Sequence, residues 1–163
     1  MTLRARDLMT RDVATASPDE EVGDVLGRLA RADFDGLPVL DEGGLVGIVT
    51  RGDILRLFRS DDRVVWVPIG VPPFSETLTY AIDLPFDDLD FGIDVAKRAR
   101  KPIREAMTVD VVSVDPDAEF DDLVSLLTDE ERDINRLPVL EGDVLVGIVT
   151  RQDLLRALRP SER

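Results

Sequence analysis

The feature of this chain that most constrains its fold is an internal duplication. The segment LPVLDEGGLVGIVTRGDILR at residues 37–56 returns as LPVLEGDVLVGIVTRQDLLR at residues 137–156. Upstream, LMTRDVATASPDEEV at 8–22 returns as AMTVDVVSVDPDAEF at 106–120. The spacing between the two motifs is longer in the second copy, which places an insertion at about residues 129–133. A duplication of this kind predicts two copies of one supersecondary unit that pack together.

Each copy predicts the element order β-α-β-β-α. In the first copy a short strand at Val13–Ala16 leads to Ser17, which with Pro18 and Glu20 has the pattern of a capped helix N-terminus. The second copy repeats this strand and places Asp115 at the cap. The apolar residues of the two predicted helices recur at helical spacing: Val22, Val25, Leu26 and Leu29, and Phe120, Leu123, Val124 and Leu127.

Two apolar strands and a second helix follow in each copy. In the first copy the predicted strands are Leu37–Leu40 and Leu45–Val49, joined by a glycine-containing turn at residues 41–44. Thr50 then caps a helix whose apolar residues are Ile54, Leu55, Leu57 and Phe58. One such unit cannot cover both faces of its sheet. We therefore predict an α/β (α+β) fold in which two repeats pack through their sheets with pseudo-two-fold symmetry.

The predicted organisation is repeat one at residues 1–59, an insert at 60–101 and repeat two at 102–163. Residues 63–70 and 77–84 of the insert, which hold Trp66 and Tyr80, favour extended structure on either side of a proline-rich turn. A structureless loop of this length is uncommon, so we expect a small β-rich element. It could complete the core, cap a cleft, extend a dimer interface or bind a partner.

The absence of two residue types argues against an enzyme. The sequence contains no Cys and no His, so it has neither a thiolate nucleophile nor the usual general base near neutral pH. The carboxylates concentrated at Asp87, Asp88 and Asp90 could hold Mg²⁺, but their spacing is not a recognised metal signature. We predict no catalytic residues and no resident metal.

The net charge of the chain restricts the classes of molecule that it can bind. With a formal net charge of -14, the acidic surface repels nucleic acid and anionic lipid. The basic cluster at residues 97–101 favours a solvated helix face that balances nearby carboxylates. No segment predicts a signal peptide or a membrane span, so we expect a cytoplasmic protein that binds neither nucleic acid nor membrane.

The repeated motifs resemble the CBS domain family. The resemblance lies in M-T, a strand, S/D-P, a helix, L-P-V and then G-I-V-T-x-x-D, and it covers about residues 3–59 and 102–159. It implies a stand-alone tandem pair (a Bateman module) that binds an adenosine-containing ligand between the repeats. It also implies a homodimer and regulation of a separate effector protein. No cofactor is required; the regulatory ligand would be an adenine nucleotide, with or without Mg²⁺, or S-adenosylmethionine.

The same resemblance implies two binding clefts. The favoured cleft would consist of Thr10, Arg11, Phe34, Asp35, Arg136, Ile148, Thr150 and Asp153. The second would consist of Thr108, Val109, Ile134, Asn135, Ile48, Thr50 and Asp53. The aspartates would accept hydrogen bonds from ribose hydroxyls, and Phe34 or Ile134 would lie against the adenine.

Each of these assignments has a purely structural alternative. T-x-x-D where a strand meets a helix is also a self-sufficient N-terminal cap that needs no ligand. Phe34 and Ile134 could be ordinary core residues. Arg136, where the first repeat has Gly36, could bind phosphate in a bidentate manner or pair with a nearby carboxylate. The alternative function is an interaction or scaffold protein whose clefts stay empty.

Overall fold

The computed structural model of the chain describes residues 2–58 and 95–159. The predicted β-rich element around Trp66 and Tyr80 lies outside the described residues. So do the acidic residues Asp87, Asp88 and Asp90.

The described elements confirm the predicted mixed α/β fold. They are α1 (Ala5–Leu8), α2 (Val22–Arg31), β1 (Gly36–Asp41), β2 (Gly44–Thr50), α3 (Arg51–Leu57), α4 (residues 95–99), a 3-10 turn (Ile103–Glu105), α5 (Phe120–Leu127), β3 (Arg136–Glu141), β4 (Val144–Thr150) and α6 (Arg151–Ala157). Strand β1 pairs with β2, and β3 pairs with β4, as two separate two-stranded sheets. No helix in the described ranges is long and apolar enough to cross a lipid bilayer.

The two hairpins follow the predicted strands to within a residue or so. In the second, β3 and β4 are antiparallel, and Arg136 lies opposite Thr150 at the open end. The turn of the first hairpin contains Glu42 and Gly43, both with positive φ (48° and 85°). Two consecutive residues of this kind give a tight turn whose twist matches that of antiparallel strands.

The chain divides into two compact units that do not coincide with the sequence repeats. One, called here the first-repeat unit, consists of Thr15–Leu40 and Val46–Val109. The other, the second-repeat unit, consists of Met1–Ala14, Asp41–Leu45 and Asp110–Arg163. Each unit therefore contains helices and hairpin strands of one repeat together with the first residues of the other repeat. The turn of the first hairpin, Asp41–Leu45, is grouped with the second-repeat unit.

The predicted apolar stripes lie in the cores of these units. On α2, Val22, Val25, Leu26 and Leu29 are all buried. On α5, Leu123 and Leu127 are buried, and Phe120 and Val124 are half-buried and packed against the same core. Of the apolar residues carried by α3 and its C-terminal cap, Ile54 and Phe58 are buried, whereas Leu55 is exposed.

Both first helices begin later than the capping pattern predicts. Glu20 does bond back to the Ser17 N–H (2.8 Å), but the helix begins only at Val22. The intervening backbone has other partners, because the Val22 N–H donates to Lys101 O (2.9 Å) and Glu20 O accepts from the Ile103 N–H (2.9 Å). A capping pattern describes local bonds alone, so a competing tertiary pairing can delay the helix.

The second-repeat unit shows the same delay for the same reason. Helix α5 begins at Phe120, whose N–H donates to Leu3 O (3.0 Å), and Ala118 O accepts from the Ala5 N–H (2.9 Å). The strands predicted before these helices reduce to single parallel bridges, one of which pairs Ala16 with Val39.

Candidate functional site

The T-x-x-D motif forms a complete N-terminal cap in both units. The Thr50 N–H and hydroxyl both donate to Asp53 Oδ2 (2.9 and 2.8 Å), and the Asp53 N–H donates to Thr50 Oγ1 (3.1 Å). In the second-repeat unit, the Thr150 N–H and hydroxyl both donate to Asp153 Oδ2 (2.8 Å each). The structure thus contains the N-terminal caps that the structural interpretation of T-x-x-D predicts. It uses one oxygen of each carboxylate and leaves Oδ1 for other partners.

Asp53 and Asp153 are the buried charged residues in the described ranges, with relative exposures of 7% and 8%. Their Oδ1 atoms accept from Arg56 Nη1 (2.8 Å) and Arg156 Nη1 (3.1 Å), three residues further along the helix. A buried carboxylate requires this kind of compensation, because desolvation penalises an unpaired charge. Any ligand that bonds to either aspartate therefore meets an oxygen that already has a partner.

The first residues of each repeat pair with the hairpin of the other repeat. We call residues 3–10 and 101–108 the docking segments. Thr10 and Ile148 exchange backbone hydrogen bonds (2.9 and 3.0 Å) in the second-repeat unit. Thr108 and Ile48 do the same (2.8 and 2.9 Å) in the first-repeat unit. The structure thus brings each predicted threonine beside the strand that carries the predicted T-x-x-D.

Side-chain contacts at the two docking segments differ. Thr108 Oγ1 lies 3.5 Å from Asp53 Oδ1, at the limit of a hydrogen bond. Among the described residues, no equivalent bond joins Thr10 to Asp153. Within residues 2–58 and 95–159, Asp53 Oδ1 therefore has two donors, Arg56 and Thr108, whereas Asp153 Oδ1 has one, Arg156.

Two glycines make the close approach of the docking segments possible. A Cβ on Gly47 would lie 2.9 Å from both Met107 Sδ and Thr108 O. A Cβ on Gly147 would overlap Met9, with Cγ at 2.7 Å. The glycine of G-I-V-T is thus explained by packing, because a side chain there would displace the docking segment.

Ion pairs attach the docking segments at their outer ends. Arg4 Nη1 donates to Asp117 Oδ1 (2.6 Å), and Arg6 pairs with the same carboxylate. The hydrogen bond from Arg4 lowers the pKa of Asp117, and the same bond raises the pKa of Arg4. In the first-repeat unit the corresponding pair is Arg104 with Asp19.

Arg136 lies next to the cap of the second-repeat unit. Its Cα is opposite that of Thr150 in the β3–β4 register, and its side chain is half-buried. The residue predicted to bind phosphate is therefore the first residue of β3, opposite Thr150 at the end of β4. In the first-repeat unit the residue before L-P-V is Gly36, which carries no side chain.

The remaining predicted site residues divide between the two units. Phe34 and Asp35 belong to the first-repeat unit, where Phe34 is 38% exposed and Asp35 pairs with Arg51 (3.3 Å). Ile134 and Asn135 belong to the second-repeat unit, where Ile134 packs against the core. Core packing therefore accounts for Ile134 but not for Phe34.

Three exposed positions complete the predicted set. Val109 is exposed. Arg11 is also exposed and donates to Arg6 O (3.2 Å), and Asn135 donates to Asp133 O (3.3 Å). These side chains have solvent access without a strong internal partner.

Sequence reasoning missed the arginine that follows each capping threonine. Arg51 Nη2 donates to Leu29 O (2.5 Å) and Ala32 O (3.2 Å), and so bonds the carbonyls at the end of α2. Arg151 acts likewise, with Nε donating to Leu127 O (2.6 Å). The signal was available, since this arginine occupies the same place in both copies of the motif.

The basic cluster has structural partners. Arg98 donates to Leu57 O (2.9 Å), Lys101 pairs with Glu105 (2.6 Å), and Ala99 is buried. Among the described residues, Lys101 thus pairs with a carboxylate, and Arg98 bonds to a backbone carbonyl. In the part of the chain that the structure describes, no group of three or more acidic side chains is arranged to hold a metal ion.

Comparisons with known proteins agree with this architecture. The family model for the CBS domain matches residues 5–60 and 103–160. The protein YlbB of Bacillus subtilis is 28% identical over 162 residues, which cover 98% of this chain and 85% of YlbB. The protein MJ1225 of Methanocaldococcus jannaschii is 29% identical over 151 residues, which are 92% of this chain but only 45% of MJ1225.

Solved structures show the same fold. The crystal structure of MJ1225 superposes with a TM-score of 0.72 at 27% identity, and the match covers 96% of this chain and 48% of that one. The crystal structure of CBSX2 in complex with AMP superposes with a TM-score of 0.65 at 26% identity, covering 94% of each chain. This chain thus spans less than half of MJ1225 but nearly all of the CBSX2 structure.

Proposed function

The chain belongs to the CBS domain family, and from this premise we propose that it is a regulatory module that binds an adenosine-containing ligand and signals to a separate protein. The observation that carries the proposal occurs in both units. A buried aspartate at a strand-to-helix junction lies in the same unit as the threonine of a docking segment, and that threonine pairs with the strand leading to the junction.

The chemistry of this arrangement suits a sugar. Asp153 Oδ1 has acceptor capacity beyond its bond to Arg156, so it can accept from a ribose hydroxyl. Arg136, beside Thr150, can supply a permanent positive charge and a bidentate contact to a phosphate. We therefore propose Thr10, Arg11, Arg136, Ile148, Thr150 and Asp153 as the ligand-binding residues of the second-repeat unit.

The first-repeat unit has an equivalent set with fewer means of binding phosphate. Its members are Thr108, Val109, Ile48, Thr50 and Asp53. Asp53 Oδ1 is closer to Arg56 than Asp153 Oδ1 is to Arg156, and it also has Thr108 at 3.5 Å. We propose that this second set binds more weakly.

AMP is the first ligand to test, because CBSX2, which is 26% identical to this chain, was crystallised in complex with AMP. ADP, ATP and S-adenosylmethionine share the adenosine group and complete the proposed class. Our proposal also includes a homodimer, a cytoplasmic location and an effector protein encoded separately.

Thermal unfolding against AMP, ADP, ATP, NAD and S-adenosylmethionine, each with and without Mg²⁺, tests the proposal. A ligand that binds only the native state, at one hundred times its dissociation constant, adds about 2.7 kcal/mol to the free energy of unfolding. For a chain of this size we expect Tm to rise by roughly 5–11 °C. Absence of a shift with every compound, in a folded sample, would reject adenosine binding.

A double variant locates the site. Asp153→Ala combined with Arg136→Ala should abolish most of the ligand-induced rise in Tm, because it removes the proposed ribose and phosphate contacts together. Asp143→Ala combined with Arg159→Ala is the matched control, since it removes the same charges from exposed positions of the same unit. Unchanged ligand affinity in the first variant would show that these residues do not bind it.

The alternative function is an interaction or scaffold protein whose clefts stay empty, and one observation favours it. Both aspartates are satisfied by their caps and arginines, so neither requires a ligand. The exposed apolar residues Leu55 and Leu155 on the capped helices would then mediate contacts with other proteins. No rise in Tm with any of the ligands, together with a stable homodimer in sedimentation experiments, would favour this alternative.

A further inference from the structure

The carboxylate oxygen that takes no part in each cap, Oδ1, accepts a hydrogen bond from an arginine. In the second-repeat unit, Asp153 Oδ2 accepts two hydrogen bonds from Thr150, while Oδ1 accepts from Arg156 Nη1 at 3.1 Å. In the first-repeat unit, Arg56 Nη1 donates to Asp53 Oδ1 at 2.8 Å. The arginine recurs in both repeats, although the residues that follow it diverge from Leu57-Phe58 to Ala157-Leu158.

The two partners of each ion pair differ in their freedom to move. The Asp153 side chain is 9% exposed and fixed by the cap, whereas the Arg156 side chain is 64% exposed. The Arg56 side chain is 72% exposed in the equivalent pair. When a third group bonds to Oδ1, the arginine is therefore the partner that shifts.

A neutral hydroxyl and an anion affect this ion pair in opposite ways. A hydroxyl that donates to Oδ1 draws electron density from the carboxylate and competes with the guanidinium, and it offers the guanidinium no charge in return. A phosphate carried on the same sugar does offer one, and arginine binds phosphate in a bidentate, charge-assisted manner.

From these contacts we propose that Arg156, and Arg56 in its own unit, determine which adenosine ligands the site accepts. A neutral nucleoside weakens the ion pair between the guanidinium and the aspartate, so the guanidinium disfavours its binding. A nucleotide also carries a phosphate that gives the guanidinium a new partner, so its binding is favoured. This inference rests on the proposed function and deepens it. It assigns the selection of phosphorylated ligands to a residue of the capped helix itself.

Isothermal titration with AMP and adenosine tests this assignment. Arg156→Met keeps the length and apolar stem of the side chain and removes its charge. We expect the ratio of AMP affinity to adenosine affinity to fall about tenfold or more, because a charge-assisted hydrogen bond is lost for the nucleotide alone. Arg156→Lys should retain part of the preference, since it restores the charge without the bidentate geometry.

Arg159→Met is the matched control. It removes the same charge three residues further along, beyond the end of α6, and none of the ion pairs found among the described residues joins Arg159 to Asp153. Its ratio of affinities should equal that of the wild type. The double variant Arg56→Met with Arg156→Met covers the case in which the first-repeat unit also binds.

The outcomes separate this inference from the function on which it rests. Wild-type protein that binds neither AMP nor adenosine overturns this inference, and it overturns the proposed function as well only if the wider ligand panel also gives no rise in Tm. Wild-type protein that binds AMP, with the same ratio in every variant or with both affinities lowered equally, overturns this inference alone. A lower ratio only in the double variant supports the role for Arg56 and rejects it for Arg156. Tm values of the variants without ligand establish that each one is folded.

Discussion

The two compact units use one plan with different amounts of buried apolar surface. Both contain the capped helix, the arginine on the aspartate and the docked segment with its glycine. The first-repeat unit buries all four stripe residues of α2 and ends its capped helix with Phe58, which is 2% exposed. In the second-repeat unit α5 buries two, and Leu158 takes the place of Phe58 at 65% exposure.

The polar features differ in the opposite direction. The second-repeat unit has Arg136 opposite Thr150, whereas the first-repeat unit has Gly36 at the corresponding position. Asp117 there pairs with two arginines, and Asp19 pairs with one. The caps and docking contacts thus occur in both units. At the positions compared, the first-repeat unit has more buried apolar side chains, and the second-repeat unit has more charged groups.

The largest effect is expected from the difference in apolar burial at the ends of the two capped helices. Phe58→Ala should lower the free energy of unfolding by about 3–5 kcal/mol, because it leaves a cavity in a closed core. At about 2–4 °C per kcal/mol, Tm should fall by roughly 6–20 °C. Leu158→Ala should change the free energy of unfolding by no more than about 0.5 kcal/mol. Urea denaturation of both variants measures this difference.

If Phe58→Ala and Leu158→Ala lowered the free energy of unfolding equally, the result would contradict the exposure of Leu158 in the single chain. It would show that Leu158 is buried in an assembly. Repeating the Leu158→Ala measurement at several protein concentrations would then reveal the dependence that dissociation of an oligomer imposes.

Local patterns predicted the hairpins and the helix stripes, because alternation and helical spacing report which face of an element is buried. The stripe Val22, Val25, Leu26 and Leu29 is buried as predicted, and so are Leu123 and Leu127. The helix starts were not predictable in this way. The backbone of residues 18–22 pairs with residues 101–104, and no local pattern reveals a partner eighty residues away.

For the candidate site, the sequence predicted the chemistry of T-x-x-D but left two interpretations open. The structure shows that the cap exists, and it adds that the cap uses only Oδ2 of Asp153. The roles of Arg51 and Arg156 depend on contacts across or along folded helices. Recurrence in both copies marked the positions of these arginines, but the groups to which they bond were visible only in the structure.

A second test compares the glycines beneath the docking segments. In Gly47→Ala the new Cβ meets the backbone oxygen of Thr108 as well as Met107, and the paired backbone must separate. In Gly147→Ala the new Cβ meets the side chain of Met9. We expect a loss of about 1–3 kcal/mol for Gly47→Ala and a smaller loss for Gly147→Ala.

Truncating the methionines distinguishes the two cases. Met9→Ala should restore part of the stability that Gly147→Ala loses, because it removes Sδ and Cγ, the two nearest obstructing atoms, and leaves Cβ in place. Met107→Ala should not restore the stability of Gly47→Ala, because Thr108 O remains in place. Rescue of both variants, or of neither, would show that the two docking segments respond alike. Denaturation of the single and double variants gives these values as two double-mutant cycles.

The smallest expected effect concerns the exposed ion pairs of Asp117 in the second-repeat unit. The hydrogen bond from Arg4 lowers the pKa of Asp117 below the ordinary value of 3.8, so this carboxylate stabilises the fold above that pH. The contribution disappears as the pH falls from about 4 through the lowered pKa. Asp117→Asn should therefore be slightly less stable than the wild type at pH 7, with a Tm difference that closes towards pH 2–3. Because the pair is exposed, 1 M salt at pH 7 should also reduce the difference. A Tm difference that persists unchanged at low pH would mean that the effect of Asp117→Asn does not arise from the charge of the carboxylate.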